Sequence, residues 1–220
     1  MSEKIDVRFG ELLIPQDFIR IDSRVKETAE LARGLPERDA VYCLWDYVCR
    51  NIKYPAGPAW LPLDRHVLRA FPKADRPFLG LQYSLERKCD EYFQYGSETL
   101  SWGIGDCEDT SILLTSLLRA YGIPPDRAFV AVGEAPDGYA WLPIPGHAWV
   151  AYNDGERELI LETSLESAPP NPWRHYPHYR ELWRFNDIER IGDIQLVPKT
   201  DERAKLKGLG LLWDHPAKGA

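Results

Sequence analysis

The chain has 220 residues, 44% of them apolar, with 8 Trp, 11 Tyr and 7 Phe. That is enough material for a sizeable core and excludes a disordered or low-complexity chain. A net charge of −7 excludes a general nucleic-acid binder, whose affinity comes from neutralising phosphates. No apolar run reaches the roughly 18 residues that span a bilayer. Met1-Ser2-Glu3-Lys4-Ile5-Asp6 lacks the apolar core of a signal peptide, so the expected location is cytoplasmic, with no membrane partner.

In chain order, residues 5–21 read as an irregular or extended lead-in. Residues 23–33 read as a short helix ended by Gly34, and Pro36 starts a second helix. In that helix Ala40, Leu44, Val48 and Ile52 recur every four residues and make one apolar stripe. Cys43 and Cys49 lie six apart on it and point to different sides, so they are poor disulfide partners. No CxxC pair signals zinc or redox chemistry. Residues 54–80 read as a proline-rich loop, and 81–95 as one more helix.

Residues 107–121 predict a helix with Asp106 at its N-cap and Gly122 at C′, stopped by Pro124-Pro125. Arg119 is the only charged residue from 110 to 121, which predicts burial on most sides. Three strands are expected over Ala128–Val132, His147–Tyr152 and Glu158–Thr163. Asp154-Gly155 is a hairpin signal between the last two. The aromatic stretch with Trp173, Tyr176, Tyr179, Trp183 and Phe185 reads as core or a packed lid. His175-Tyr-Pro-His178 has no third ligand near it and reads as loop. The tail after Lys199 reads as loosely attached.

Cys107 follows Gly103-Ile104-Gly105-Asp106, where two glycines allow a tight turn before the helix. A cysteine in a first helical turn meets free N–H groups and the helix dipole, both of which favour a thiolate. Most lone cysteines are simply small buried residues, so Cys107 needs partners to mean more. A two-residue Asp154-Gly155 turn pairs Asn153 with Glu156. Carrying that ladder back sets His147 opposite Glu162, on one face of the sheet. A slip of one residue would put them on opposite faces. Nucleophile, base and orienting carboxylate then come from three separate elements. The expected oxyanion donor is the backbone N–H of Cys107, with Trp102 helping to shape that pocket. Asp106, Glu108 and Asp109 surround the cysteine with negative charge that opposes a thiolate. The expectation is that they turn outward into water while helix end and His147 win. They read first as helix caps and second as a cation site, although fewer than six oxygen ligands are visible.

GDCEDTSILLTSLLRAYGIP, then GHAWVAY, then ELILETS resembles the transglutaminase-like superfamily of papain-type cysteine enzymes. WDYVCRNIKY before these words and RFND after them extend the resemblance over about residues 40–187. It implies an α+β, papain-like core in which the helix bearing the nucleophile packs on an antiparallel sheet. It implies Cys107 as nucleophile, His147 as base and Glu162 in a third position where members more often carry Asp. It also implies calcium at Asp106, Glu108 and Asp109, as in some bacterial members, with no cofactor required. The expected division is an N-terminal extension over 1–35, a catalytic domain over 36–195 and a C-terminal tail over 196–220. The expected partner is a peptide or protein substrate. The expected activity is a peptidase or amidase working through a Cys107 thioester. Its rivals are a crosslinking acyltransferase and a binding or scaffold domain without turnover.

Overall fold

The computed structural model describes residues 5–6, 12–54, 93–136, 143–169 and 179–192. The lead-in contains two short paired strands, β1 (Ile5–Asp6) and β2 (Leu12–Leu13), and a 3-10 turn over Pro15–Phe18. The first helix is α1 (Ser23–Ala29), capped by Asp22, whose Oδ1 accepts from the Val25 N–H at 3.0 Å. Pro36 stands at the N-cap of α2 (Glu37–Asn51). The stripe Ala40, Leu44, Val48 and Ile52 is buried, and Val41, Trp45 and Cys49 make a second buried row beside it. The proline-rich segment and most of the expected helix over 81–95 lie outside the described residues. Residues 93–95 are not helical, and α3 (Gly96–Trp102) begins directly after them. Glycines at both ends hide this short helix in the sequence.

The helix α4 (Cys107–Tyr121) has the expected bounds, because both caps are written in the sequence. Gly122 is left-handed at φ +118°, and its N–H and that of Ile123 both return to the Leu118 carbonyl. α4 lies across two strands of the sheet and is covered by α1, α2 and α3. Its hydroxyl residues Thr110, Ser111, Thr115 and Ser116 are therefore buried along with its leucines. Arg119 leaves this core by a two-pronged ion pair with Asp187, at 2.7 and 3.0 Å.

The main sheet has the order β5-β4-β3-β6-β7, every pair antiparallel: β3 is Ala128–Pro136, β4 Pro143–Asn153, β5 Glu158–Leu161, β6 Arg180–Phe185 and β7 Arg190–Ile191. The described residues thus form a mixed architecture of helices and antiparallel sheet. Ala128, Val130, Ala148, Val150 and Tyr152 face the helices. Phe129, Ala131, Trp149 and Ala151 form a separate cluster on the other face. Strand β6 was not expected, since the prolines and aromatics before it hide its alternation. Trp183 and Phe185 point inward and are buried.

The hairpin register differs from the expectation by two residues. Asn153 pairs with Glu158, and Val150 with Leu161. The turn takes four residues because the Asp154 side chain builds it: Oδ1 accepts from both the Glu156 and Arg157 N–H groups at 2.9 Å. A slip of two preserves parity, so His147 and Glu162 still share a face, as diagonal rather than opposite neighbours.

Candidate active site

Cys107 is the first residue of α4, and Gly105 sets the entry to that helix. A Cβ on Gly105 would come within 2.8 Å of the Asp109 Cβ and 3.1 Å of the Thr99 Cγ2. Gly103, left-handed at φ +65°, ends α3. A short parallel bridge, Lys53 N–H to the Gly103 carbonyl and Gly105 N–H to the Lys53 carbonyl, ties this loop to the end of α2. Trp102 is the last residue of α3, half-buried, four loop residues before α4.

All three acids around Cys107 are buried, contrary to the expectation that they face water. Asp106 and Glu108 are each 5% exposed and Asp109 is fully buried. The Cys107 thiol donates to Glu108 Oε2 at 3.1 Å. Asp109 Oδ1 accepts from the Gln94 N–H at 2.8 Å. Its Oδ2 accepts from Gln94 Nε2 at 2.7 Å and from the Asp106 N–H at 3.3 Å. Burial, with the Glu108 charge added, pushes the Asp109 carboxyl well above its usual range. Asp109 therefore fastens the segment before α3 to the start of α4. Among the described residues no three His, Cys, Asp or Glu side chains form a group able to hold a metal ion. Both Asp109 oxygens accept from amides, and calcium takes about six to eight oxygens, more than these three side chains supply by themselves.

His147 sits on β4 next to a bulge: Gly133 pairs with His147 and Glu134 with Pro145, leaving Gly146 unpaired in the ladder. A bulge at this place re-aims the side chain beside it. Gly133 must itself be glycine, since a Cβ there would collide with the Arg180 carbonyl of β6. His147 Nε2 lies 2.7 Å from Glu162 Oε2, with the two side chains 20% and 7% exposed. Glu162 directly follows β5. Its carbonyl accepts from Trp45 Nε1 of α2 at 2.8 Å, and its Oε1 accepts from the Ser164 N–H at 2.9 Å. Burial would raise the Glu162 carboxyl, but the His147 charge and hydrogen bond, with those of Ser164 and Tyr179, bring it down to about 2. Burial opposes a charged His147 too, and the Glu162 charge and hydrogen bond, with the Glu108 charge, hold its pKa above the ordinary value.

Cys107 belongs to the helix-side cluster with Ile112, Val130 and Ala148, whereas His147 stacks on Trp149 of the opposite face at 6.2 Å. Glu108 connects the two, touching the thiol and acting on the imidazole by its charge. Tyr54 is also close: burial, then the charges of Cys107, Asp106 and Glu108, raise its phenol far above the usual range, although the side chain is 47% exposed. A cavity of about 220 Å³ adjoins the first turn of α4, lined by Tyr54, Thr110, Thr163 and Ser164 among others. Glu108 as thiol partner, Gln94 and Tyr179 were not singled out for these roles in the sequence. Gln94 carries no local signal, and Tyr179 depends on the unforeseen β6. His175 and His178 lie outside the described residues. RFND is a structural corner, where Asn186 donates to the Pro125 carbonyl at 2.6 Å and accepts from Ile188 and Glu189.

No family model matches the chain, and no curated protein matches it. Among solved structures, Legionella pneumophila LapG is similar at 16% identity and a TM-score of 0.49, covering 86% of this chain and 84% of LapG. The calcium-bound form of LapG is similar at 15% identity and a TM-score of 0.49, covering 88% of this chain and 94% of LapG.

Proposed function

We propose that the chain is a transglutaminase-like cysteine enzyme that hydrolyses a peptide or carboxamide through a thioester on Cys107. The observation that carries this is the partly buried 2.7 Å pair of His147 and Glu162, on a sheet packed against a helix whose first residue is the cysteine. An ionised Glu162 accepts the Nε2 proton, which leaves Nδ1 of His147 as the basic nitrogen. Nδ1 takes the Cys107 proton as sulfur attacks the carbonyl carbon. It returns that proton to the leaving amine as the C–N bond breaks, and a thioester remains. Water, deprotonated by the same nitrogen, then releases the acid and restores the thiol. In this reading the Cys107 N–H at the head of α4 is the oxyanion donor, with Trp102 helping to shape that pocket. For the first step the thiol must leave Glu108 and meet Nδ1, a tightening that substrate binding brings about in many such sites.

Hydrolysis is favoured over amine transfer because water is abundant unless a site excludes it. The thiol held by Glu108 favours a second reading, a binding domain without turnover. Turnover of a peptide library separates these readings, with Cys107→Ala as control. Release of free acid supports the hydrolase. Incorporation of a fluorescent amine instead makes it a transferase, and no covalent turnover leaves the binding domain.

A further inference from the structure

We propose that Tyr179 is a positioning residue for the base: its phenol holds the oxygen of Glu162 that also takes His147 Nε2, and so fixes the plane and tautomer of the imidazole. The inference rests on the reading of His147 as the base. Tyr179 immediately precedes β6, an element independent of those that carry His147 and Glu162. Its OH donates to Glu162 Oε2 at 2.7 Å, the same distance at which His147 Nε2 meets that oxygen. The Ser164 N–H holds the other oxygen at 2.9 Å. A carboxylate gripped at both oxygens by three donors has no freedom to rotate away from the imidazole.

The aromatic surroundings reinforce the arrangement. The Trp149 ring meets Tyr179 edge-on at 5.0 Å and is tilted 28° from the His147 ring at 6.2 Å, while Tyr179 and His147 are 6.3 Å apart. These rings screen the Glu162–His147 bond from water, which strengthens it. Charged and titratable groups reach the pair from every side. Glu162 meets His147 of β4, Tyr179 before β6 and Cys49 of α2; His147 meets Glu162 after β5 and Glu108 of α4.

Tyr179→Phe keeps the ring and removes the donor. With one donor fewer, Oε2 gives more of its charge to Nε2–H, so the His147 titration followed by NMR moves to higher pH. The kcat falls about tenfold, the loss expected of one hydrogen bond to a charged group, with KM unchanged. An unchanged His147 titration in folded Tyr179→Phe overturns the proposal, whatever kcat does. Should that variant not fold, the wild-type Tyr179 hydroxyl proton decides. Slow exchange that becomes fast in Glu162→Gln supports the proposal, and fast exchange in the wild type overturns it. The NMR readouts need no turnover, so an inactive wild-type protein would sink the enzymatic reading and leave Tyr179 still tested.

Discussion

A thiol 3.1 Å from a buried carboxylate is stabilised in its protonated form, because a second negative charge would meet the first at low dielectric. Glu108→Gln removes that charge and keeps the shape. Iodoacetamide should then alkylate Cys107 about tenfold faster at pH 6, because the thiolate no longer faces a second negative charge. The same substitution should lower the His147 pKa, since the Glu108 charge helps to raise it. An unchanged alkylation profile would mean that Glu108 does not govern the sulfur. The neighbouring pair has its own pH signature. Glu162 is depressed from 4.5 to about 2, so its contribution to stability is present above pH 4.5 and is lost as pH falls towards 2. His147 is raised above 6.5, so its contribution is complete below pH 6.5 and is lost as pH rises through the folded value. The pair should therefore stabilise the fold most between about pH 4.5 and 6.5. Denaturant midpoints measured across that range should lose this maximum in Glu162→Gln, and a variant that kept it would contradict the pairing.

At the scale of elements, the entry to α4 is the most sensitive joint. Gly105→Ala places a methyl carbon 2.8 Å from the Asp109 Cβ, so the clamp on Gln94 or the first turn must shift. The expected cost is about 1–3 kcal/mol of stability, with a fall in Cys107 reactivity larger than that loss explains. Wild-type stability and reactivity in this variant would show that the close approach is harmless. The same elements show what the sequence made legible. α4 was readable to the residue because Asp106 and Gly122 are local signals with local mechanisms. The shared face of His147 and Glu162 was readable from strand parity. The register was not, because an aspartate side chain lengthened the turn by two residues. α3 and β6 were missed where glycines and prolines mask periodicity. The inward turn of Glu108 was missed because it depends on α4 being covered by three other helices, which no window of sequence contains.

At the scale of the molecule, α2 carries part of the site's support although it carries none of its proposed chemistry. Trp45 is fully buried among the α2, α4 and sheet residues, and its indole N–H holds the Glu162 carbonyl at 2.8 Å. Trp45→Phe leaves that carbonyl without its donor and opens space in the core. A loss of about 2–4 kcal/mol is expected, measured by chemical denaturation, together with a perturbed His147 titration. Loss of stability with an unperturbed titration would confine Trp45 to packing. The central claim joins all three scales: a helix-borne thiol acts as nucleophile with a sheet-borne histidine as its base. Its most direct test is intact-protein mass spectrometry with a peptide bearing an electrophilic carbon at the scissile position. Cys43 and Cys49 are internal controls, since burial raises the first thiol and pushes the second up to about 12. The account predicts one adduct, at Cys107, absent in Cys107→Ala and formed at least about tenfold more slowly in His147→Gln. Labelling spread over Cys43 and Cys49, or a rate at Cys107 indifferent to His147, would contradict it.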